Sequence, residues 1–214
     1  MRPRFPVVFF DLDGTLLRGT TVSLLTAEWL GRRGELDELE QRYAEGAISN
    51  AVIAERSAPW FAGRSPAEVE RSLAAGPWID GVGETVDALH AAGVHVVLAT
   101  VTLRAAAQVV AARFGFDDCC GTELAVADGH FTGALSRHCD AEDKAGFVED
   151  VCALRGVSVS EAAAVGDSRS DLPMFERVGF SIALNADAGA RAAATTALDT
   201  DDLRDVLPLL LVDD

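Results

Sequence analysis

Residues 7–15 read Val-Val-Phe-Phe-Asp-Leu-Asp-Gly-Thr, and the fold follows from them. Four apolar residues, β-branched and aromatic, predict a buried strand. The strand delivers two carboxylates, Asp11 and Asp13, at its C-terminal end, and the turn residue Gly14 follows at once. Side chains alternate along an extended chain, so Asp11 and Asp13 point the same way while Leu12 turns back into the core. Two like charges this close repel, and a cation or a shared proton is needed to hold them. In open α/β sheets ligands bind at that end of the strands. The competing reading, a loop merely rich in Asp and Gly, gives no reason for the paired charge.

Outward from this stretch the pattern is helical from about Thr20 to Gly76. Val22, Leu25, Trp29 and Leu30 fall at helical spacing, as do Leu36 and Leu39, then Ile48, Val52 and Ile53, then Val69 and Leu73. Gly31, Gly34, Gly46, Pro59 and Pro66 punctuate the run, and Ser65-Pro66-Ala67-Glu68 has the form of a capping box. After Pro77 the spacing predicts a helix over 82–92, a strand over 94–99 and a helix over 103–114. Short strands follow over 119–135, turning at Ala127-Asp128-Gly129-His130. A helix around 144–155, strands over 162–165 and 180–184, and two helical stretches complete the chain. Strands alternating with such helices indicate βαβ units and a parallel sheet. The helical run after the first strand is then a separate lid, hinged near residues 17–20 and 76–80. Residues 1–17 and 78–214 would form the core domain and 18–77 the cap. The Asp-rich tail from Asp199 to Asp214 reads as the solvated face of a final helix.

The chain has 214 residues, 49% of them hydrophobic, and a formal net charge of −16. Such a charge repels a polyanion and excludes a general nucleic-acid footprint. No apolar run approaches the ~20 residues of a membrane span. Met-Arg-Pro-Arg-Phe-Pro leads straight into the first strand, so no secretory signal and a cytoplasmic location are expected. Cys119, Cys120, Cys139 and Cys152 lack a zinc spacing and read as reduced, packed thiols. His90, His95, His130 and His138 show no ligand spacing either, and Trp29, Trp60, Phe61 and Trp78 read as core. Of the 18 basic residues, only Lys144 is a lysine. A chain that otherwise uses arginine has kept one compact point charge, which suggests a task for it.

Four points converge if the strand ends share a crevice: Asp11 to Thr15, Thr100, Lys144 near the start of a helix, and Gly166-Asp167-Ser168-Arg169-Ser170-Asp171. In this order, and joined to the continuation Leu-Pro-Met at 172–174, they resemble the haloacid dehalogenase-like hydrolase superfamily. The similarity is to its phosphoserine phosphatase-like branch, which carries a small helical cap between the first two motifs. It covers nearly the whole chain. The resemblance implies a Rossmann-like, doubly wound α/β core and a phosphatase acting on a small phosphorylated metabolite. It makes Asp11 the nucleophile that forms an aspartyl-phosphate, and Asp13 the acid that protonates the leaving oxygen and then activates water. Mg²⁺ suits the oxygen-rich set, with Asp11, the Asp13 carbonyl and Asp167 as ligands and Asp171 and Thr15 in support. Thr100, Lys144 and the amides of the turn at Leu12 to Gly14 would bind the phosphoryl oxygens. Thr102, two positions on, competes with Thr100, and Asp171 would also cap the helix after it.

The chain departs from phosphoserine phosphatase where that enzyme recognises its substrate. Thr20-Thr21-Val22 stands where an ammonium-binding glutamate is expected, and Thr100-Val101-Thr102 where Ser-Gly-Gly is expected. Arg56 falls roughly at the position of a carboxylate-binding arginine, and equally fits a surface arginine. Thr20, Arg56, Val101 and Thr102 are therefore the specificity candidates. Phosphoserine phosphatase proper and a phosphotransferase are the alternatives; a receiver-type signalling domain is remote, since it has no helical insertion after its first strand. A monomer or a homodimer fits equally.

Overall fold

The computed structural model describes residues 2–213. Six strands form one parallel sheet, with β2 (Val7–Phe10) at its centre. Beside β2 lie β3 (His95–Leu98) and β4 (Asp118–Cys119) on one side. On the other lie β7 (Ala163–Gly166), β8 (Phe180–Leu184) and β9 (Thr196–Leu198). The chain runs outward from β2 in one direction and then, from β7, in the other. The switch point therefore falls between β2 and β7, where such sheets bind ligands.

Every residue of β2 and β7 is buried, as expected of a parallel sheet covered on both faces. Val8 and Phe10 pack with Leu98, Val165 and Ile182 into one core, joined by Val86 and Leu89 of α5 (Val82–Ala91) and Val110 of α6 (Arg104–Phe114). Val7 and Phe9 turn to the other core. There they meet Val148 and Val151 of α7 (Ala141–Leu154) and Met174 of α8 (Leu172–Arg177).

Between β2 and β3 the chain makes α1 (Val22–Leu30), α2 (Arg33–Ala44) and α3 (Asn50–Ser57). Two 3-10 turns, Ala58–Phe61 and Pro66–Val69, and the short α4 (Glu70–Leu73) follow. The expected capping box at Ser65 and Glu68 is formed. Departing and returning chains run together, with the Arg18 amide donating to the Pro77 carbonyl at 2.8 Å. A hairpin of β5 (Glu123–Ala127) and β6 (His130–Arg137) turns at Asp128 and Gly129, both at positive φ. It packs on this helical insertion: Phe131 meets Phe61 edge-on at 5.9 Å, and its backbone bonds to Gly63 and Arg64 at 2.9 and 2.8 Å.

The C-terminus corrects the sequence reading. The strand β9 was not expected, and α9 (Ala188–Ala193) precedes it. The predicted final helix is only a 3-10 turn, Leu203–Val206, and one α turn, α10 (Leu207–Leu210). The chain then extends as β10 (Leu211–Val212) against β1 (Arg2–Pro3). Leu203, Val206 and Leu210 are buried, and they hold the tail to the core. Asp214 lies outside the described residues. Cys119, Cys139 and Cys152 are buried and all four cysteines are free, as the spacing suggested. Among the described residues no helix is long and apolar enough to cross a membrane.

Candidate active site

Asp11 continues β2, its amide donating to the Val165 carbonyl of β7 at 2.9 Å. Leu12 is fully buried, while Asp11 and Asp13 both line an open cavity at the sheet's C-terminal edge. Beyond them the chain closes a tight turn, in which the Leu16 and Leu17 amides donate to the Leu12 carbonyl. The Gly14 amide donates to the Leu17 carbonyl at 2.9 Å. It is thus spent inside the turn and is not a free phosphate donor, which corrects the role expected for Gly14. The glycine is required for another reason. Its φ is +89°, and a Cβ there would lie 2.2 Å from Asp167 Oδ2.

Lys144 stands in the first turn of α7, whose start Asp140 caps by accepting from the Glu142 and Asp143 amides. Helix geometry drives this lysine inward, where it is fully buried. Its Nζ donates to Asp11 Oδ1 and to Asp171 Oδ1, each at 2.5 Å. The second oxygen of Asp171 accepts from the Asp167 and Ser168 amides at 2.8 and 3.0 Å. Asp171 therefore orients Lys144 and shapes the loop after β7, and Gly166 allows it that close: a Cβ there would lie 2.3 Å from the Asp171 carboxyl carbon. Thr15, fully buried, donates to Asp167 Oδ1 at 3.3 Å.

Asp11, Asp167 and Asp171 bring carboxylate oxygens within 4.8 Å of one another. Among the described residues Lys144 is the only cation bonded into this group, which leaves the three carboxylates short of positive charge. Burial pushes Asp11 up to about 8; Lys144 pulls it down, and the charges of Asp171 and Asp167 add to the rise. Asp167 is raised to about 7, by burial first and then by Asp171. Burial works to lower Lys144, but Asp11 and Asp171 outweigh it and hold the ammonium charged. A crowded, oxygen-only set whose protons are held this tightly fits a hard divalent cation. The chemistry of the donors and the Gly14 cradle that admits Asp167 both agree with it.

Asp13 stands outside this group, although it lines the same cavity. Its Oδ1 accepts from the amide of Val22, the first residue of α1, at 2.7 Å. Burial raises it to about 7, against the lowering effect of that bond. A group that titrates there is suited to give and take a proton near neutral pH. Thr100, buried at the end of β3, lines the same cavity, as do Thr20, Val101 and Ser168.

A second cavity, of about 130 Å³, adjoins the first at Asp13 and Val101, which line both. The insertion contributes Thr26, Leu36, Asn50, Ile53, Ser57, Trp60 and Phe61 to its wall. The core contributes Thr102, Leu103, Thr122, Leu124 and His138. Trp60 and Phe61 thus face a cavity as well as packing. Arg56 lines neither cavity. It is exposed on α3, off the face that presents Ile53, Ala54 and Ser57. Two residues to which the sequence assigned no role take part in tertiary contacts. His138 lines the second cavity. Arg169, exposed on the loop after β7, stacks over the ring of Tyr43 from α2 at 5.7 Å and donates to its hydroxyl, tying that loop to the insertion. Neither partner lies near the other in sequence, so no local pattern could have shown it.

Comparison with known proteins gives the family. The family model for haloacid dehalogenase-like hydrolases matches residues 8–176. The chain is 31% identical over 189 residues to the phosphoserine phosphatase of Halobacterium salinarum, covering 87% of this chain and 89% of that protein. It is 28% identical over 198 residues to the phosphoserine phosphatase of Archaeoglobus fulgidus, covering 92% of this chain but spanning only 57% of that protein's length. A substrate-bound phosphoserine phosphatase structure superposes with a TM-score of 0.79 at 22% identity, covering 99% of both chains, and speaks for the fold. The chain belongs to the haloacid dehalogenase-like hydrolases, and within them it is phosphoserine phosphatase-like.

Proposed function

We propose that this phosphoric monoester hydrolase cleaves a small phosphomonoester through an aspartyl-phosphate on Asp11. The observation that carries the reading is the juxtaposition at the end of β2. There Asp11 is bonded to a fully buried lysine, and Asp13, two residues on, faces the same cavity. One Asp11 oxygen attacks phosphorus, and the ester P–O bond breaks. Asp13 gives its proton to the departing alcohol oxygen. Water then attacks phosphorus, Asp13 takes its proton, the bond to Asp11 breaks, and inorganic phosphate leaves. The bond from the Val22 amide aims Asp13, so the position of the insertion and the acid–base step are linked. Lys144 and Thr100 bind the phosphoryl oxygens, with the Leu12 and Asp13 amides, neither of which donates to a backbone carbonyl among the described residues.

Mg²⁺, held by Asp11, Asp167 and the Asp13 carbonyl with Asp171 in support, would neutralise the carboxylates and polarise the phosphoryl group. Residues 18–77 act as a cap that closes the second cavity over the leaving group. Purified protein is expected to hydrolyse p-nitrophenyl phosphate only while a divalent cation is present, and EDTA should abolish the activity. Undiminished hydrolysis in EDTA would remove the metal from the account.

A pH dependence follows. Asp11 and Asp167 hold their protons to about 8 and 7 in the folded chain, and the cation must displace them. The rise in Tm on adding Mg²⁺ should therefore be small at pH 5.5 and grow through pH 8.5. In the metal-free protein the sign is opposite. Folded pKa values above the unfolded value of 3.8 mean that stability is full at low pH and falls as pH rises through 7 to 8. Thermal melts across this range, with and without Mg²⁺, check both signs. Gly14→Ala should erase the Mg²⁺-dependent rise, because the added methyl group displaces Asp167.

A further inference from the structure

The second cavity has an uneven chemistry. Its wall is mixed, with Leu36, Ile53, Trp60, Phe61 and Leu124 beside hydroxyl and amide side chains, and Asp13 is the only formally charged side chain among the residues that line it. Several of its hydroxyls are committed within the protein. Thr26 donates to the Val22 carbonyl at 2.8 Å, Thr122 to Val101 at 2.9 Å, and Ser57 to Ala54 at 3.3 Å. His138, just past the hairpin strand β6, differs from these: its Nδ1 is buried and has no hydrogen-bond partner among the described residues. A buried ring nitrogen left unpaired costs stability unless something pairs with it.

We propose that the substrate is the monophosphate of a short, uncharged and partly apolar alcohol that carries a second hydroxyl, and that His138 is the residue that recognises this hydroxyl. The proposal rests on the phosphatase reading above. With the ester oxygen at Asp13, where the two cavities meet, the leaving group extends into the second one. A hydroxyl can donate or accept, so it satisfies either tautomer of the imidazole. The carboxylate of phosphoserine finds no cation there, its ammonium finds only Asp13, which the acid–base step needs, and burying an unpaired charge is strongly unfavourable. Thr20 brings only an uncharged side chain to the adjoining cavity, and Arg56 is turned to solvent.

The test compares kcat/KM for 4-hydroxybutyl phosphate, n-butyl phosphate and O-phospho-L-serine, with p-nitrophenyl phosphate as the general probe of phosphatase activity. The expected order is 4-hydroxybutyl above butyl phosphate by about tenfold, and both above O-phospho-L-serine by about a hundredfold. His138→Phe should bring the hydroxybutyl-to-butyl ratio close to one, with the change falling in KM. His138→Gln, which keeps a donor and an acceptor, should retain part of the ratio. A ratio of two substrates on the same protein is independent of how much of each variant is folded. O-phospho-L-serine equal to or better than the alkyl phosphates, or a ratio that survives His138→Phe, overturns the proposal while p-nitrophenyl phosphate hydrolysis leaves the phosphatase reading standing. Failure to hydrolyse any of the four overturns both.

Discussion

Asp11→Asn should lower the hydrolysis of p-nitrophenyl phosphate by about 10⁴-fold or more and leave the fold intact. The amide has the shape of the carboxylate and keeps an oxygen for the Lys144 Nζ bond seen at 2.5 Å. It has no anionic oxygen to attack phosphorus. Its effect on stability should be small or favourable in the metal-free protein, since burial already resists the charge on Asp11. Steady-state kinetics beside a thermal melt separate the two effects. More than trace activity in a folded Asp11→Asn protein is incompatible with covalent catalysis at this residue.

Lys144→Ala has the second large effect, and it falls on stability as well as on rate. Lys144 is fully buried between Asp11 and Asp171. Removing it leaves two buried carboxylates facing a cavity with no countercharge, which typically costs about 3–5 kcal/mol. The sign with pH is fixed. Without the ammonium, Asp11 holds its proton still more tightly, so the destabilisation grows as pH rises and is relieved as Asp11 protonates. Urea unfolding at two pH values measures it. A second substitution, Asp171→Asn in the same chain, should restore part of the stability by removing one of the two like charges. It should not restore activity, because the phosphoryl group has still lost its cation.

Much of this was legible in the chain because the decisive signals are local. A strand of four apolar residues ending in Asp-Leu-Asp fixes where two side chains point, and the prediction for Asp11, Leu12 and Asp13 holds because the period of a strand is two. Lys144 was visible as the only lysine among arginines. The turn at Asp128 and Gly129 was visible from its residue types. What the sequence hid is set by tertiary packing. The Gly14 amide is spent because the chain doubles back to Leu17. His138 becomes part of a cavity only because the hairpin leans on the helical insertion. The contact of Arg169 with Tyr43 joins residues 126 positions apart. The tail resembles a helix in composition, yet β1 offers it an open edge and it extends there.

The central claim is a covalent bond between Asp11 and phosphorus, and trapping that bond tests it most directly. The protein would be mixed with p-nitrophenyl phosphate and Mg²⁺, quenched in acid during turnover, digested and sequenced by mass spectrometry. The account predicts a phosphoryl group on Asp11, in the peptide that contains residues 7–15, and no label on Asp13, Asp167 or Asp171. A phosphoryl group on any other residue, or active turnover with no phosphoenzyme at any quench time, would contradict it.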